Sequence, residues 1–222
     1  MWICPTLGRP ERLGNLAASW TEKVPLLVVL TKSDPRYEEY VSRMWPGSWT
    51  FLSVEDKLLT PKLNLAFRNQ PDADFYGFIA DDVRIKSPAI LAKLELLAER
   101  WFLSYPNDTI HGKNMGTHFC IGGDLVREMG WIANPLFNHF YIDKTWKGLC
   151  QANGLYRYAP DVVFYHEHPN KMPEMADKVY EDTYLNQWKR DSDAWDKYIR
   201  PEGLAFEDSS RLFRAVKKAF PS

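Results

Sequence analysis

Phe75-Tyr76-Gly77-Phe78-Ile79-Ala80 runs directly into Asp81 and Asp82. An apolar strand that ends in two adjacent carboxylates needs something to offset their repulsion and desolvation, most simply a cation. Successive strand residues point to opposite faces, so the two acids diverge. One is then free to meet a divalent ion, and the other to accept a hydrogen bond from a sugar or ribose hydroxyl. That division of labour suits a nucleotide-sugar site, although an Asp pair closing a strand also serves as a plain solvated turn. What separates the two readings is which other groups gather there. His166 and His168 follow a second apolar run, Val162-Val163-Phe164-Tyr165. Read singly, each is an ordinary structural or surface histidine. Beside the Asp pair they complete an oxygen-and-nitrogen donor set for Mn2+ or Mg2+.

The elements that must position these residues alternate. Trp2-Ile3-Cys4-Pro5-Thr6 is a short apolar strand, and Leu13, Leu16, Ala17 and Trp20 give residues 11–20 a helical period. Leu26-Leu27-Val28-Val29-Leu30 is a second strand, ended by Thr31-Lys32-Ser33-Asp34-Pro35 and followed by a charged helix over about 36–44. A third strand is expected near 50–54, a helix opened by Pro61 runs to about 69, and the strand 75–80 follows. The order β-α-β-α-β-α-β with fully apolar strands predicts an α/β fold: a mainly parallel central sheet with helices on both faces. Beyond the Asp pair, Ser87-Pro88 opens a helix ending near Trp101, residues 105–108 read as a turn, and 109–115 carry no clear pattern. A strand at 117–121 leads through Gly122-Gly123 to Asp124, the cap of a helix reaching Met129. A helix over about 143–152 stops at Asn153-Gly154, a core strand occupies 162–165, and the chain beyond Pro173 is helical, charged and aromatic. Ligands of open parallel sheets bind beyond the carboxyl ends of the strands. Residues 6–9, 31–34, Asp81, Asp82 and 166–168 therefore form one set.

Composition narrows the classes. The 222 residues suit one α/β domain with an appended tail, and 28 basic against 29 acidic side chains leave a net charge of −1. No global electrostatic pull toward nucleic acid or an anionic membrane follows from that balance. Three widely spaced cysteines, Cys4, Cys120 and Cys150, argue against a disulfide framework or a cysteine zinc site and suit a reducing cytosol. The first strand starts at Trp2, and no run approaches the roughly 18 apolar residues of a membrane span, so a cytoplasmic protein is expected. The 9 Trp, 12 Phe and 11 Tyr are many for this length; most must be core, but a surplus of rings is also how carbohydrate and nucleobase faces are commonly held. The segment 211–220 forms a short basic amphipathic helix. It is suited to docking on its own domain, to peripheral contact with an anionic bilayer, or to a nucleic-acid backbone.

Pro5-Thr6-Leu7-Gly8-Arg9-Pro10-Glu11-Arg12-Leu13, Lys62-Leu63-Asn64-Leu65-Ala66, Ala80-Asp81-Asp82 and the late His166-Glu167-His168, in that order and spacing, resemble glycosyltransferases of the GT-A fold. These are nucleotide-diphospho-sugar transferases, and the similarity is to the family-2-like inverting enzymes. It covers roughly residues 1–170 and implies a single Rossmann-like GT-A domain, with a nucleotide-binding half at 1–85 and an acceptor half at 86–170. A helical C-terminal extension occupies 171–222. The resemblance implies that Thr6 and Arg9 line the nucleotide pocket, that Asp34 contacts the base, and that Lys62 and Asn64 lie on the helix bordering the nucleotide. Asp82 matches the metal-binding last acid of the Asp-x-Asp motif, Asp81 lies near the ribose or donor sugar, and His166, or else His168, adds a metal ligand. Ala80 stands where the motif has its first acid, which removes one ribose contact.

Asp143, within His139-Phe140-Tyr141-Ile142-Asp143-Lys144-Thr145-Trp146, resembles the stretch where inverting members place a catalytic acid at a helix start; it equally reads as an ordinary N-cap. Asp124 is the reserve base. His139, Tyr141, Trp131 and Trp146 fall on the acceptor side, as stacking platforms or as core. The implied activity is metal-dependent transfer of a sugar from a nucleotide-diphospho-sugar to an acceptor hydroxyl, with Mn2+ or Mg2+ as cofactor, a UDP-sugar as the leading donor and a carboxylate base. The acceptor is left open among a saccharide, a lipid-linked sugar, a protein and a nucleic-acid base. The alternatives are a nucleotidyltransferase, a hydrolase built on the same acids and histidines, and a non-catalytic sugar-nucleotide or glycan-binding module.

Overall fold

The computed structural model describes residues 1–20, 24–86 and 89–221. Strands β1 (Trp2–Pro5), β2 (Leu26–Thr31), β3 (Trp49–Val54) and β4 (Phe75–Phe78) pair in parallel in the spatial order β3-β2-β1-β4. Helices α1 (Pro10–Ser19), α2 (Tyr37–Val41) and α3 (Leu59–Asn69) make the crossovers. Every residue of β2 is buried, which is why its sequence is apolar throughout and does not alternate. Trp2 and Cys4 pack on one face of the sheet with Leu13, Val28 and Phe164, while Ile3 packs on the other with Val29, Leu63 and Ile121. The two cores are thus separated by the period of two along β1.

Beyond β4 the sheet changes direction. β5 (Val83–Ile85) and β6 (Leu103–Asn107) flank helix α4 (Ala89–Ala98), and the predicted helix start at Ser87-Pro88 lies outside the described residues. β7 (Phe119–Gly122) runs antiparallel to both β4 and β6, β8 (Tyr156–His166) runs parallel to β6, and β5 closes the eight-stranded sheet antiparallel to β8. Helices α5 (Gly123–Met129) and α6 (Ile142–Ala152) lie between β7 and β8. The parallel character expected from the sequence holds for the majority of strand pairs, with the antiparallel β7 inserted at the centre.

Strand β6 corrects the turn expected at 105–108. Pro106 reads as a turn marker, but it sits beside the register shift between β6 and β8, where a strand tolerates a residue without an N–H. The neighbouring Tyr105 is buried and stacks on Tyr156 with ring centroids 4.2 Å apart. The helix expected to reach Trp101 ends at Ala98 and is followed by Glu99 at φ 43°. β8 is longer than the four residues read as strand, because Pro160 interrupts its apolar pattern without ending its pairing.

The C-terminal helices α7 (Lys178–Tyr198) and α8 (Leu204–Ala219) pack back onto the domain. Leu212 of α8 is fully buried in the core beside α5 and α6, and Tyr198 of α7 packs with Phe137 and Tyr141. The outer face of α8 leaves Phe206 and Phe213 exposed. Among the described residues no helix is long and apolar enough to cross a membrane.

Register between β1 and β4 hinges on one glycine. Gly77 lies opposite Trp2, and a Cβ at this position would come within 2.3 Å of the indole, which is itself tied down by its Nε1–H donating to Glu95 at 2.7 Å. Gly77→Ala is expected to destabilise the fold by about 2–3 kcal/mol through overpacking. The urea midpoint should fall with an unchanged m-value; a midpoint equal to that of the parent protein would show that Trp2 moves freely.

Candidate functional site

One edge of the sheet collects the chemistry. β1, β4 and β8 end there, so Thr6, the Asp pair and His166 arrive from carboxyl ends, as expected for a parallel sheet. The antiparallel β7 begins there and delivers Thr117 and His118 from its amino end. These residues line a cavity of ≈ 290 Å³, together with Arg9, Lys62, His139, Asp143 and His168.

Asp81 and Asp82 are both buried and point apart. The Asp81 carboxylate accepts the Thr6 hydroxyl at 2.5 Å and lies 3.7 Å from the Arg9 guanidinium. A relay stands behind Thr6: the Arg9 backbone N–H donates to the Tyr40 hydroxyl at 2.6 Å, and that hydroxyl lies 3.1 Å from Thr6 Oγ1. Since the Thr6 proton goes to Asp81, Tyr40 donates to Thr6. Asp82 lies on the other side, 3.7 Å from Arg12 and with Oδ1 3.5 Å from His166 Nε2. Burial pushes the Asp81 carboxyl up, with Arg9 and Thr6 opposing only in part. Burial also acts to raise Asp82, but the contact with His166 and the positive charge of Arg9 help to outweigh it and hold that carboxyl well below the usual range. Two adjacent acids are thus driven in opposite directions by their neighbours.

Lys62 reaches in from α3. Its ammonium donates to the Thr6 carbonyl at 2.8 Å, and burial, opposed by Asp81 and Asp34, lowers its pKa to about 8. Arg9 and Arg12 are also bound from above. Asp177, the N-cap of α7, accepts from Arg9 at 2.7 Å, pairs with Arg12 at 3.0 Å, and caps its own helix through the Tyr180 N–H at 2.8 Å. Val179, Tyr180 and Thr183 of the same helix form one wall of the cavity.

Residues 138–140 are fixed by a buried carboxylate further along α7. Asp191 accepts the backbone N–H groups of Asn138, His139 and Phe140 at 2.8–3.1 Å and pairs with Arg190 at 2.6 Å. His139 is thereby held at the cavity wall, where burial, opposed by Asp191, lowers its pKa to about 4. Tyr141 follows in the left-handed region at φ 68° and is the N-cap of α6, so Asp143 is not the cap. It occupies the second helical position, lines the cavity and accepts the Lys144 N–H at 2.8 Å, and burial raises its pKa.

Three residues expected at the site stand elsewhere. Asp34 accepts the Gly8 N–H at 2.5 Å and the Arg36 N–H at 2.9 Å, which spends its carboxylate on joining two loops. Asn64 accepts from Ile132 and Ala133 N–H at 2.9 and 3.0 Å and donates to the Ala133 carbonyl at 2.7 Å, pinning that loop to α3. Asp124 is held by Arg100 and Arg127, each at 2.6 Å. Because β7 is antiparallel, the helix after it starts at the opposite end of the sheet from the cavity. Trp131 and Trp146 are core residues, with rings 4.8 Å apart, whereas His139 and Tyr141 line the cavity.

The same antiparallel strand supplies a residue that the sequence reading missed. Asp82, His118 and His166 each offer a ligand atom, and these atoms lie within 4.8 Å of one another. Asp82 Oδ1 is buried with no hydrogen-bond partner among the described residues. Its 3.5 Å separation from His166 Nε2 is long for a hydrogen bond but matches two ligands on one ion. Donors about 2.1 Å from a metal at tetrahedral or octahedral angles are about 3.0–3.5 Å apart. A carboxylate with two imidazoles suits a divalent first-row ion. His168 stands one step back, its ring 5.0 Å from that of His166 and its Nδ1 accepting the Asn170 N–H at 3.2 Å.

No protein-family model and no curated protein matches this sequence. Solved structures do. A mannosyltransferase from Pyrobaculum calidifontis, determined with GDP-Man and Mn2+, superposes with a TM-score of 0.58 at 15% identity, covering 100% of this chain and 75% of that one. TarS 1-349 from S. aureus gives 0.55 at 13% identity, covering 98% and 82%. Glucosyl-3-phosphoglycerate synthase from Mycobacterium tuberculosis, determined with Mn2+, UDP and phosphoglyceric acid, gives 0.55 at 12% identity, covering 85% and 77%. At these identities the likeness is one of architecture, and the architecture of this chain is the GT-A fold.

Proposed function

We propose that this chain is a metal-dependent glycosyltransferase that moves a sugar from a nucleotide-diphospho-sugar to an acceptor hydroxyl. The observation that carries the reading is the convergence of Asp82, His118 and His166 on the floor of a cavity that Thr6, Arg9 and Lys62 also line. Support comes from the fold, whose solved neighbours include proteins holding Mn2+ with GDP-Man or with UDP.

Asp82, His118 and His166 would hold the ion, and Mn2+ is the one favoured by those neighbours. When bound, such an ion neutralises charge growing on the leaving diphosphate. Lys62, mostly protonated at neutral pH with its pKa of about 8, adds a buried positive charge beside the same position. Arg9 adds a second once a ligand competes with Asp177 for its guanidinium. Asp81, fixed by Thr6 and Arg9, is oriented to accept a hydroxyl of the ribose or donor sugar.

Asp143 is the base in this reading. As the acceptor oxygen attacks the anomeric carbon, its proton passes to the Asp143 carboxylate. The bond to the diphosphate breaks on the opposite face, which inverts the configuration. Burial raises the pKa of Asp143, and a carboxyl raised toward the working pH is a better proton acceptor than an exposed one. UDP-sugars lead the list of donors, and GDP-, CMP- and dTDP-sugars complete the panel to be screened.

Thermal shift with each donor, in Mn2+ and in EDTA, tests the reading. Mn2+ at a hundredfold over its Kd should stabilise the protein by about 2.7 kcal/mol, or about 5–10 °C. Asp82→Ala should abolish both that shift and the metal-dependent donor shift while leaving a cooperative melt. Undiminished donor binding in this variant removes Asp82 from the metal site. Asp143→Asn should keep donor binding and lower the transfer rate roughly a hundredfold or more, whereas Asp124→Asn should transfer near normally. Near-normal turnover by the Asp143 variant would move the base to another group.

A further inference from the structure

Asp108 lies just beyond the end of β6, is fully buried, and touches neither the cavity nor the acids in it. Its two oxygens have separate tasks. Oδ1 accepts the backbone N–H groups of Ile110, His111 and Gly112 at 3.0, 2.7 and 3.2 Å. Oδ2 accepts from His111 Nδ1 at 2.8 Å and from the Thr117 hydroxyl at 2.8 Å. Burial raises this carboxyl, but the His111 contact and the other hydrogen bonds outweigh it and keep Asp108 ionised. An ionised carboxylate only accepts, so the single proton of the Thr117 hydroxyl is committed to Asp108.

The consequence falls on His118. Thr117 Oγ1 also lies 3.2 Å from His118 Nδ1, and with its own proton spent it can only accept there. The imidazole must therefore donate from Nδ1. His118 is buried, with its ring stacked on Phe78 at 5.8 Å and set edge-on to His166 at 4.6 Å. A neutral buried imidazole protonated on Nδ1 carries its lone pair on Nε2. We infer that Asp108 is a positioning residue that acts through the Thr117 hydroxyl to fix His118 as its Nδ1-protonated tautomer, leaving Nε2 as the nitrogen offered to the Asp82 and His166 group. The tautomer assignment stands on hydrogen-bond polarity alone; its use in holding metal rests on the proposed metal site.

Asp108→Asn tests the polarity of this chain with little change of shape. Three backbone donors require an acceptor at the Oδ1 position, which places the new amide nitrogen at the Oδ2 position. The amide donates to Thr117 there, the hydroxyl turns its proton to His118 Nδ1, and the stable tautomer becomes Nε2–H. Long-range 1H–15N correlation of histidine-labelled, metal-free protein reads this directly. His118 should be Nδ1–H in the parent protein and Nε2–H in Asp108→Asn. Mn2+ affinity, from titration followed by EPR, should fall roughly ten- to a hundredfold, the usual effect of losing a partner that orients a ligand. Thr117→Val, which leaves the Asp108 backbone cradle intact, should lose the tautomer preference, and Thr117→Ser should retain both the tautomer and the affinity. A His118 that is Nε2–H in the parent protein, or that keeps the Nδ1–H form in both Asp108→Asn and Thr117→Val, overturns the inference. The predicted tautomer switch without measurable Mn2+ binding in any variant upholds the role of Asp108 and refutes the metal site instead.

Discussion

Two buried carboxylates side by side are the constraint around which this molecule is arranged. Withdrawing a carboxylate from water costs on the order of several kcal/mol even after relaxation, and a second acid next to it adds repulsion. The structure meets that demand from separate elements: Arg9 and Arg12 from the first crossover, Lys62 from α3 and His166 from the end of β8. The two arginines and the lysine are buried or half-buried in turn, which creates a second demand for acceptors. Asp177 satisfies part of it by accepting from both arginines, and this draws the start of α7 over the cavity mouth. The charge pair at one strand end thus dictates where a helix nearly a hundred residues later is seated.

That dependence explains why the first half of the chain was legible in the sequence and the second half less so. In the first half largely apolar strands alternate with helices, so an apolar run identifies a strand, and the rule that chemistry lies beyond carboxyl ends locates Thr6, Arg9, Asp81 and Asp82. Past β4 the rule depends on strand direction, which no apolar run reveals. Pro106 concealed β6, and with β6 missing nothing showed that β7 runs the other way. The rule therefore passed over His118, two residues before the visible Cys120-Ile121 core, and Asp124, the reserve base, proved to lie at the far end of the sheet. A usable signal was present: Asp108 and Thr117-His118 bracket a loop between two apolar runs, as expected when both strand ends meet at one edge.

The C-terminal segment shows a related limit. Its aromatic and charged composition reads as an appendage, yet Asp191 is completely buried and collects three successive backbone N–H groups from residues 138–140. Those residues have no secondary structure to satisfy their donors, and buried N–H groups left unpaired are costly. An acid in a helix of alternating charge and aromatics gives no sign that its partner is a loop fifty residues earlier. Tyr40 is similar, an unremarked helical tyrosine whose hydroxyl completes the relay to Asp81 through Thr6.

What distinguishes the candidate site from its surroundings is the valence left unused there, more than the polarity of its residues. Asp34, Asn64 and Asp124 are polar, buried or half-buried, and correctly placed on their elements, but every contact reported for them closes a loop or pairs a surface arginine. Asp82 differs. Its Oδ1 is buried without a hydrogen-bond partner among the described residues, and the nearest nitrogen of His166 is 3.5 Å away. A folded chain rarely leaves an ionised oxygen in that state, since one rotamer change in a neighbour would satisfy it. Here the neighbours are locked: His118 by Thr117, His166 by the β5–β8 pairing, and Arg12 by Asp177. Rigidity that prevents an acid from finding a partner in its own chain is the condition under which a ligand from outside can supply one.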